Sequence, residues 1–238
     1  VAQSLARMGI AAVVVDGQPQ EKGTFFILRL NKDGGELEPA GDLAGLGLYE
    51  FAARARQRFG EAGFVATGPC GEQRMAMAGV CFNDGEFRPS RYAGRGGLGA
   101  VMGSKNIKAI VVNGKTRPEV ADKEAVLDTA RWMRDNYEAP LGTMQEMGTA
   151  RGVAVLNAAG GLPTRNFLEG SFEGYETLTG RYMTDTILVD RESCYACPVH
   201  CKRVVEVNEG PYRVNPRYGG PEYETLSTMG SYCGVADL

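Results

Sequence analysis

Three cysteines that fall within eight residues constrain this chain more than any other feature. Cys194, Cys197 and Cys201 form a C-x2-C-x3-C run. Thiolates this close together on a tight loop can turn toward one centre, and soft sulfur ligands select zinc or an iron–sulfur cluster. The spacing therefore predicts a metal site. Radical enzymes that use S-adenosylmethionine have the reverse order, three residues and then two, so their open-iron chemistry is not indicated.

The identity of a fourth ligand separates the alternatives for this site. His200 could complete a Cys3His zinc site, but it is adjacent to Cys201, and neighbouring side chains usually diverge. A [4Fe–4S] cluster with a fourth cysteine elsewhere is favoured, while zinc and unligated thiols stay open. Cys233 could be that ligand, although its surroundings favour a buried helix residue. Cys70 and Cys81 are expected to be inert core thiols.

Composition excludes several classes of partner. The chain has 238 residues, of which 43% are hydrophobic, and a net charge of −3. No stripe of Lys and Arg is present to neutralise phosphates, so we expect no nucleic-acid partner. No segment approaches the roughly 20 apolar residues that span a bilayer, and the first ten residues do not resemble a signal peptide. The sequence predicts a cytoplasmic protein without a membrane partner.

The two halves of the chain show different periodicities. In the first half, three apolar runs bounded by turn residues predict strands over 11–15, 24–30 and 107–112, and helices are predicted before Gly9 and over 48–59. In the second half, apolar residues recur at helical spacing: Val126, Ala130, Met133 and Tyr137. Pro118 is well placed to open that helix.

These patterns predict an α+β fold made of two domains. Residues 1–115 are expected to form a mixed α/β domain, and residues 116–238 a mainly α-helical domain that carries the cysteine run. The boundary is placed near 115–117, where the strand pattern ends. The chain begins with Val1 and ends at Leu238 without a terminating signal, so we expect it to be part of a longer protein.

A glycine-rich loop between Arg91 and Lys105 is the second informative motif. Its glycines leave room for a backbone to approach a ligand, and a short helix is predicted to start at Leu98 or Gly99. Arg91, Arg95 and Lys105 add cationic donors. The loop is therefore expected either to bind a phosphate-bearing cofactor or to be a structural turn.

Nucleotide binding is not the favoured interpretation of this loop. Residues 94–99 match G-x-G-x-x-G, but residues 88–91 do not predict a preceding strand, and the strand that follows lacks a ribose-binding acid. Residues 114–116 resemble the end of a P-loop, but Ala109 stands where its first glycine belongs. NAD and ATP are both disfavoured.

The two motifs together resemble one family, the tungsten-containing aldehyde:ferredoxin oxidoreductases. Residues 94–105, followed by a strand over 107–110, are similar to the pterin-binding segment of that family, and the cysteine run matches its cluster loop. Three further segments, 148–150, 161–167 and 218–224, are also similar to family sequence. The resemblance covers nearly the whole chain.

The resemblance implies two cofactors. In the family, two pterin dithiolenes hold tungsten without a protein sulfur ligand, and a nearby [4Fe–4S] cluster passes electrons to ferredoxin. Because the metal-binding sulfurs come from the cofactor, the protein residues do not distinguish tungsten from molybdenum. Three of the four cluster cysteines map to Cys194, Cys197 and Cys201, and the fourth has no counterpart here. The resemblance also implies which residues contact pterin: Arg91, Tyr92, Gly94, Arg95, Gly96, Gly97 and Lys105. Tyr92 is expected to make this contact through its backbone.

The implied reaction is oxidation of a small aldehyde to a carboxylic acid at tungsten, with water supplying the oxygen. Because protons must be shed near the metal, a carboxylate is expected to act as acid or base, with Glu222 first and Glu224 second. The alternative is that both carboxylates only begin a helix. His200 is expected to tune the cluster through a hydrogen bond. Arg165 and Asn166 would either face the cofactor or bond the backbone.

Two other functions stay open. A family relative could act on another substrate, for example by reducing an aromatic acyl thioester. The chain could also be a non-enzymatic electron-transfer or zinc-stabilised subunit, with a purely structural glycine loop. A homodimer is compatible with the resemblance. The present chain should not be active alone, because family segments that bind pterin and substrate are missing from it.

Overall fold

The computed structural model describes residues 1–20, 23–114 and 119–238. The chain forms two compact units, Val1–Ala121 and Asp122–Leu238. The expected domain boundary near 115–117 and the helix-opening Pro118 lie outside the described residues. The combination of a mixed sheet with many helices confirms the α+β class.

A mixed β-sheet organises the first unit. Within the described residues its strand order is β2-β1-β6-β3-β4-β5. β1 and β6 are parallel, and the other neighbours are antiparallel. The strands are β1 (Phe26–Asn31), β2 (Gly34–Pro39), β3 (Gly63–Ala66), β4 (Val80–Phe82), β5 (Arg91–Ala93) and β6 (Ile107–Val112).

The helices of the first unit are α1 (Ala2–Ala6), α2 (Leu48–Phe59), α3 (Pro69–Glu72) and α4 (Leu98–Ser104). A short 3-10 helix spans Gly41–Leu43. The longest helix, α2, ends at Gly60, whose φ of +67° suits a residue without a side chain. It buries Phe51, Ala52 and Ala55. The rings of Phe51 and Phe64 pack edge to face, with their centroids 5.3 Å apart.

Helices α3 and α4 pack so closely that they require glycine. A Cβ on Gly103 would collide with the carbonyl oxygen of Gly71, and a Cβ on Gly71 would collide with the side chain of Thr67. Gly99 and Gly97 meet the carbonyl oxygens of Gly79 and Ala76 in the same way. Much of the glycine content of the loop is therefore set by packing.

The second unit is mainly helical and carries one β-hairpin. Its helices are α5 (Lys123–Asn136), α6 (Glu138–Met147), α7 (Gly152–Ala158), α8 (Gly180–Thr186) and α9 (Tyr223–Thr225). Its strands are β7 (Leu188–Glu192) and β8 (Lys202–Val205). Short 3-10 helices span Thr149–Arg151, Tyr175–Leu178, Pro216–Tyr218 and Ser231–Cys233, and a π-helix spans Leu226–Gly230.

The core of this unit forms between its helices and the hairpin. Asp122 caps α5 by accepting a hydrogen bond from the Ala125 amide at 3.0 Å. The buried apolar residues form one cluster: Ala150, Val153, Leu162, Phe172, Leu178, Met183, Val205 and Leu226. All four residues of β8 are buried, so this strand is firmly anchored.

Several expectations from the sequence are corrected here. Residues 11–15 form no strand: the segment pairs with no strand in the described ranges, and Val14 is 78% exposed. A short strand, β5, does precede the G-x-G-x-x-G match, although it lies at the sheet edge and pairs antiparallel with β4. Cys70 and Cys233 are exposed, and only Cys81 of the expected core thiols is buried. No described helix is long and apolar enough to cross a bilayer.

Candidate functional site

The cysteine run lies in the loop of the β7–β8 hairpin. The two strands pair antiparallel as far as Glu192 and Lys202. Residues 193–201 connect them and carry all three cysteines of the run. Cys201 directly precedes β8, whose four residues are all buried, so this cysteine adjoins an anchored strand. The hairpin therefore presents the cysteines on one short, anchored turn.

Left-handed backbone conformations shape this turn. Ala196 and His200 have φ values of 55° and 51°, and each directly precedes a cysteine. The Cys197 amide donates to the Cys194 carbonyl oxygen at 3.1 Å. Non-glycine residues enter this region at a steric cost and are found most often where function requires it. The turn is thus a tight loop, as the sequence predicted, and its backbone is partly strained.

The thiol groups influence one another electrostatically. The pKa of Cys201 is raised, first by burial and then by the negative charges of Glu222, Cys194 and Cys197. In the described part of the chain, no three His, Cys, Asp or Glu side chains converge closely enough to hold a metal ion. The donor set is nonetheless chemically suited to iron–sulfur ligation, since it offers three thiolates on one loop. Which fourth ligand completes it stays a prediction.

Arg203 holds the end of the cysteine loop, and sequence reasoning missed it. This side chain is only 2% exposed. Its guanidinium donates to the carbonyl oxygens of His200 and Cys201 at 3.1 and 3.0 Å. It also donates to those of Glu146 and Gln145 in α6, at 2.8 and 2.7 Å. One buried cation thus ties the cysteine loop to a helix.

Two glycines make room for this arginine. A Cβ on Gly148 would lie 2.9 Å from Nε of Arg203, and a Cβ on Gly220 would lie 3.0 Å from its Cβ. The first distance is shorter than real side chains allow, and the second is tighter than most real contacts. Gly148 and Gly220 were therefore the available signal in the sequence for a bulky buried partner.

Glu222 lies near the cysteine loop and is located at the start of a short helix. It is the N-cap residue of α9, and Glu224 is in the first turn and exposed. The Thr149 hydroxyl donates to Oε2 of Glu222 at 2.6 Å and accepts from the Tyr223 amide at 2.9 Å. The half-buried Glu222 is held in place, and its charge is felt by Cys201.

The glycine loop lies in the first unit between β5 and α4. Three consecutive residues of this loop are exposed, namely Gly94, Arg95 and Gly96, so this stretch of chain is open to solvent. Gly96 has a φ of +77°, a backbone conformation that explains why glycine occupies this position. A Cβ on Gly94 would meet no atom of the described residues within 4 Å. Neither packing nor a positive φ explains Gly94, and its open backbone fits a ligand that approaches closely.

The other predicted pterin contacts differ in how they are engaged. Nε of Arg91 is buried and has no hydrogen-bond partner among the described residues, which marks a donor that a ligand could satisfy. Nζ of Lys105 donates to the Gly17 carbonyl oxygen at 2.9 Å. The ring of Tyr92 is exposed, and its hydroxyl donates to the Pro89 carbonyl oxygen at 3.3 Å. Although the ring is exposed, partial desolvation of the hydroxyl and the neighbouring Cys81 raise the pKa of Tyr92.

The segment around Arg165 and Asn166 forms a loop, as predicted. Arg165, Asn166 and Phe167 have consecutive φ values of 43°, 58° and 63°. The guanidinium of Arg165 pairs with the carboxylates of Glu169 and Glu173. Oδ1 of Asn166 accepts from the Tyr232 hydroxyl at 2.5 Å. Both side chains bond other side chains, and their expected role toward a cofactor stays a prediction.

Comparison with known proteins places this site in a family. Residues 1–114 match the family model described as aldehyde ferredoxin oxidoreductase, N-terminal domain, and residues 126–238 match aldehyde ferredoxin oxidoreductase, domains 2 & 3. The tungsten-containing aldehyde ferredoxin oxidoreductase of Thermococcus kodakarensis is 36% identical over 239 residues, which cover 97% of this chain. Its counterpart in Pyrococcus furiosus is 34% identical over a similar span.

The same organism provides a more distant relative. The aliphatic sulfonate oxidoreductase, WOR-like subunit, of Pyrococcus furiosus is 30% identical over 178 residues, which cover 74% of this chain and 27% of that relative. Among solved structures, the active-site complex of benzoyl coenzyme A reductase with 1,5-dienoyl-CoA superimposes with a TM-score of 0.58 at 23% identity. That match covers 87% of this chain and 33% of the solved chain, and it supports the fold alone.

The chain spans about 37% of the length of the tungsten-containing relatives. Within that span, the two family models account for both structural units and include the glycine loop, the cysteine loop and Glu222. The chain therefore belongs to the aldehyde ferredoxin oxidoreductase family.

Proposed function

We propose that this chain supplies the cluster loop and part of the pterin-binding surface of an oxidoreductase that oxidises small aldehydes to carboxylic acids. Electrons would leave a tungsten bis-pterin centre through a [4Fe–4S] cluster to ferredoxin. The observation that carries the proposal is the hairpin loop of Cys194, Cys197 and Cys201, with the charge of Glu222 acting on Cys201. The names of the tungsten-containing relatives support the choice of metal and acceptor.

The cysteine loop suits an electron-transfer cluster. Cys194 is exposed, while Cys197 and Cys201 are half-buried, so the loop has one side toward the protein and one toward solvent. A cluster held there would be open to a fourth ligand outside the described residues and to an electron acceptor. Cluster potential depends on nearby charge, hydrogen bonding and exposure. The charge of Glu222 acts on Cys201, and the charge of Cys201 acts on Arg203, so both charged residues could influence the potential of a cluster there.

The glycine loop suits the anionic part of a pterin cofactor. Within the part of the chain that the structure describes, Nε of Arg91 is a buried donor without a partner, and the backbone at Gly94 is open on the side where a Cβ would project. Arg95 adds a positive charge to the same exposed stretch. These groups would hold the cofactor through charge and backbone contact. The bound tungsten centre would supply the oxidation itself.

Glu222 is the proposed acid/base residue. Its Oε2 already accepts a hydrogen bond from Thr149, which fixes the carboxylate and leaves Oε1 to take a proton. Aldehyde oxidation with water as the oxygen donor releases protons, and a carboxylate held in one orientation can remove them. Glu224 is the second choice because it is exposed, whereas Glu222 is half-buried beside the cysteine loop.

The experiment that tests the cluster assignment uses matched cysteine variants of the complete gene product, purified without oxygen. Cys194→Ser, Cys197→Ser and Cys201→Ser should each lower the iron and labile sulfide content. Cys70→Ser, which changes an exposed thiol outside the loop, should leave both at the wild-type level. Equal iron in all four variants would refute the assignment. Turnover of an aldehyde and of an aliphatic sulfonate would then identify the substrate class.

A further inference from the structure

Arg203 is an unusual residue to find inside a protein, because a guanidinium loses strong hydration when it is buried. It is 2% exposed, and burial lowers its pKa. Four hydrogen bonds to backbone carbonyl oxygens compensate, two from the cysteine loop and two from α6. A hydrophobic residue would have filled the same space without this cost. The arrangement therefore calls for a role beyond packing.

The neighbours of Arg203 connect it to the proposed cluster. Cys201 is two residues away, and its carbonyl oxygen accepts from Nε of Arg203 at 3.0 Å. The negative charges that act on the guanidinium are those of Glu222 and Cys201, and the charge of Arg191 opposes them. Its positive charge therefore lies close to the thiolate that would bind iron.

On the basis of the proposed function, we propose that Arg203 is a positioning residue for the iron–sulfur cluster: it fixes the backbone of Cys201, and its buried charge favours the reduced cluster. Lysine would not replace it fully, since an ammonium cannot span four carbonyl oxygens in a planar fork. The effect on the backbone and the effect of charge can thus be separated by substitution.

The two roles have different physical consequences. When the carbonyl oxygens of His200 and Cys201 lose their donor, the loop is less preorganised, and iron should be released more readily. When the buried positive charge is lost, the extra electron of the reduced cluster is less stabilised, and the reduction potential should become more negative. Arg203→Gln removes both contributions. Arg203→Lys removes most of the hydrogen bonding but keeps the charge.

Arg191 provides a matched control. It is paired with Arg203 across the β7–β8 ladder, and its Nε also donates to the Gln145 carbonyl oxygen, at 3.1 Å. Unlike Arg203, it is exposed and has no hydrogen bond to the cysteine loop among the described residues. Arg191→Gln therefore changes the same helix contact and the same net charge. A general effect of losing an arginine would appear in both variants.

The test uses the complete gene product, purified anaerobically with its cofactors. The measurements are iron and labile sulfide retained during exposure to a chelator, the cluster potential from an EPR-monitored titration, and the thermal unfolding temperature. Arg203→Gln should retain iron about tenfold less well, as is typical for loss of an outer-shell contact, and its potential should shift negative. Arg203→Lys should lose iron faster than wild type but keep a potential near that of wild type. Arg191→Gln should match wild type in both.

Each outcome decides the proposal. If wild type retains a cluster and both Arg203 variants match Arg191→Gln in iron retention and potential, this proposal fails while the proposed function stands. A wild-type protein without iron and sulfide overturns both. A lower unfolding temperature with unchanged retention and potential shows a merely structural role and also overturns it. If Arg203→Gln does not fold, Arg203→Lys decides: faster iron loss at a wild-type unfolding temperature supports the proposal, and wild-type retention overturns it.

Discussion

The hydroxyl of Thr149 donates to Oε2 of Glu222 at 2.6 Å and at the same time accepts from the Tyr223 amide. Thr149 therefore fixes the proposed acid/base carboxylate and satisfies the first amide of α9. Thr149→Ala should lower the free energy of unfolding by about 1–2 kcal/mol, since it removes a hydrogen bond to a charged group. Thr149→Ser keeps the hydroxyl and should restore most of that stability. Urea unfolding measures both, and an alanine variant as stable as the serine variant would contradict the role of this bond.

Substitution of Glu222 should affect turnover far more than substitution of Glu224. Glu222→Gln keeps the shape and the contact to Thr149 but removes the base, so kcat for aldehyde oxidation should fall by about 10²–10⁴-fold. Glu224→Gln changes the same charge at an exposed position and should stay near wild type. Both enzymes should contain wild-type iron. Equal losses of kcat in the two variants would contradict the proposal that Glu222 is the acid/base residue.

Gly103 in α4 and Gly94 in the glycine loop should differ in how alanine changes the stability of the protein. A Cβ on Gly103 collides with the Gly71 carbonyl oxygen. Alanine gains about 1 kcal/mol of helix propensity, but overpacking costs about 1–3 kcal/mol or more. Because the overlap is with backbone, which cannot move aside easily, Gly103→Ala should destabilise the protein.

Gly94→Ala is the matched substitution, because a Cβ there meets nothing. Its free energy of unfolding should stay within about 0.5 kcal/mol of wild type. If the backbone at Gly94 contacts pterin, the variant should contain less pterin after anaerobic purification. A stable Gly94→Ala protein with wild-type pterin content would show that this glycine does not approach the cofactor.

Cys81 should make the protein sensitive to alkaline pH. Burial raises the pKa of its thiol from 9.0 to about 11, against the lowering effect of the hydrogen bond with Tyr92. Between these values the folded state keeps a proton that the unfolded state has released. The resulting stability, about 2–3 kcal/mol, is fully present below pH 9 and is lost as the pH rises through about 11.

Cys81→Ala should therefore show a shallower loss of stability between pH 8.5 and 11 than wild type, even though removing the sulfur lowers its stability at neutral pH. The raised pKa of Tyr92 acts in the same direction at higher pH, so the comparison between variants matters more than the wild-type curve alone. Cys70→Ala changes an exposed thiol in the same unit and should keep the wild-type slope. If stability fell equally steeply with pH in all three proteins, the buried thiol of Cys81 would not be the cause of the alkaline sensitivity.

Local patterns predicted the elements whose geometry depends on local sequence. The strand over 107–112 and the helix over 48–59 were found at those residues, and the helix after the glycine loop begins at Leu98. The cysteine spacing predicted a tight loop, and the hairpin provides one. Residues 11–15 show the limit of this reasoning, because an apolar run becomes a strand only where a neighbouring strand is available for pairing.

Features that depend on distant partners were not predictable. Lys108 lies in a correctly predicted strand, but nothing local indicates that it is fully buried and bonded at 2.5 Å to Glu72, which lies 36 residues earlier. Arg203 reaches carbonyl oxygens 57 and 58 residues earlier. Such contacts appear in the sequence only indirectly, through glycines such as Gly148 that leave space for them.

The most direct test of the central claim is metal and cofactor analysis of the complete gene product, purified without oxygen. Tungsten, molybdenum, iron and zinc would be quantified together with pterin. We predict tungsten or molybdenum with pterin, and about four irons per chain, as one [4Fe–4S] cluster requires. Zinc without pterin would contradict the account, and the cysteine loop would then be the site of a zinc-stabilised module.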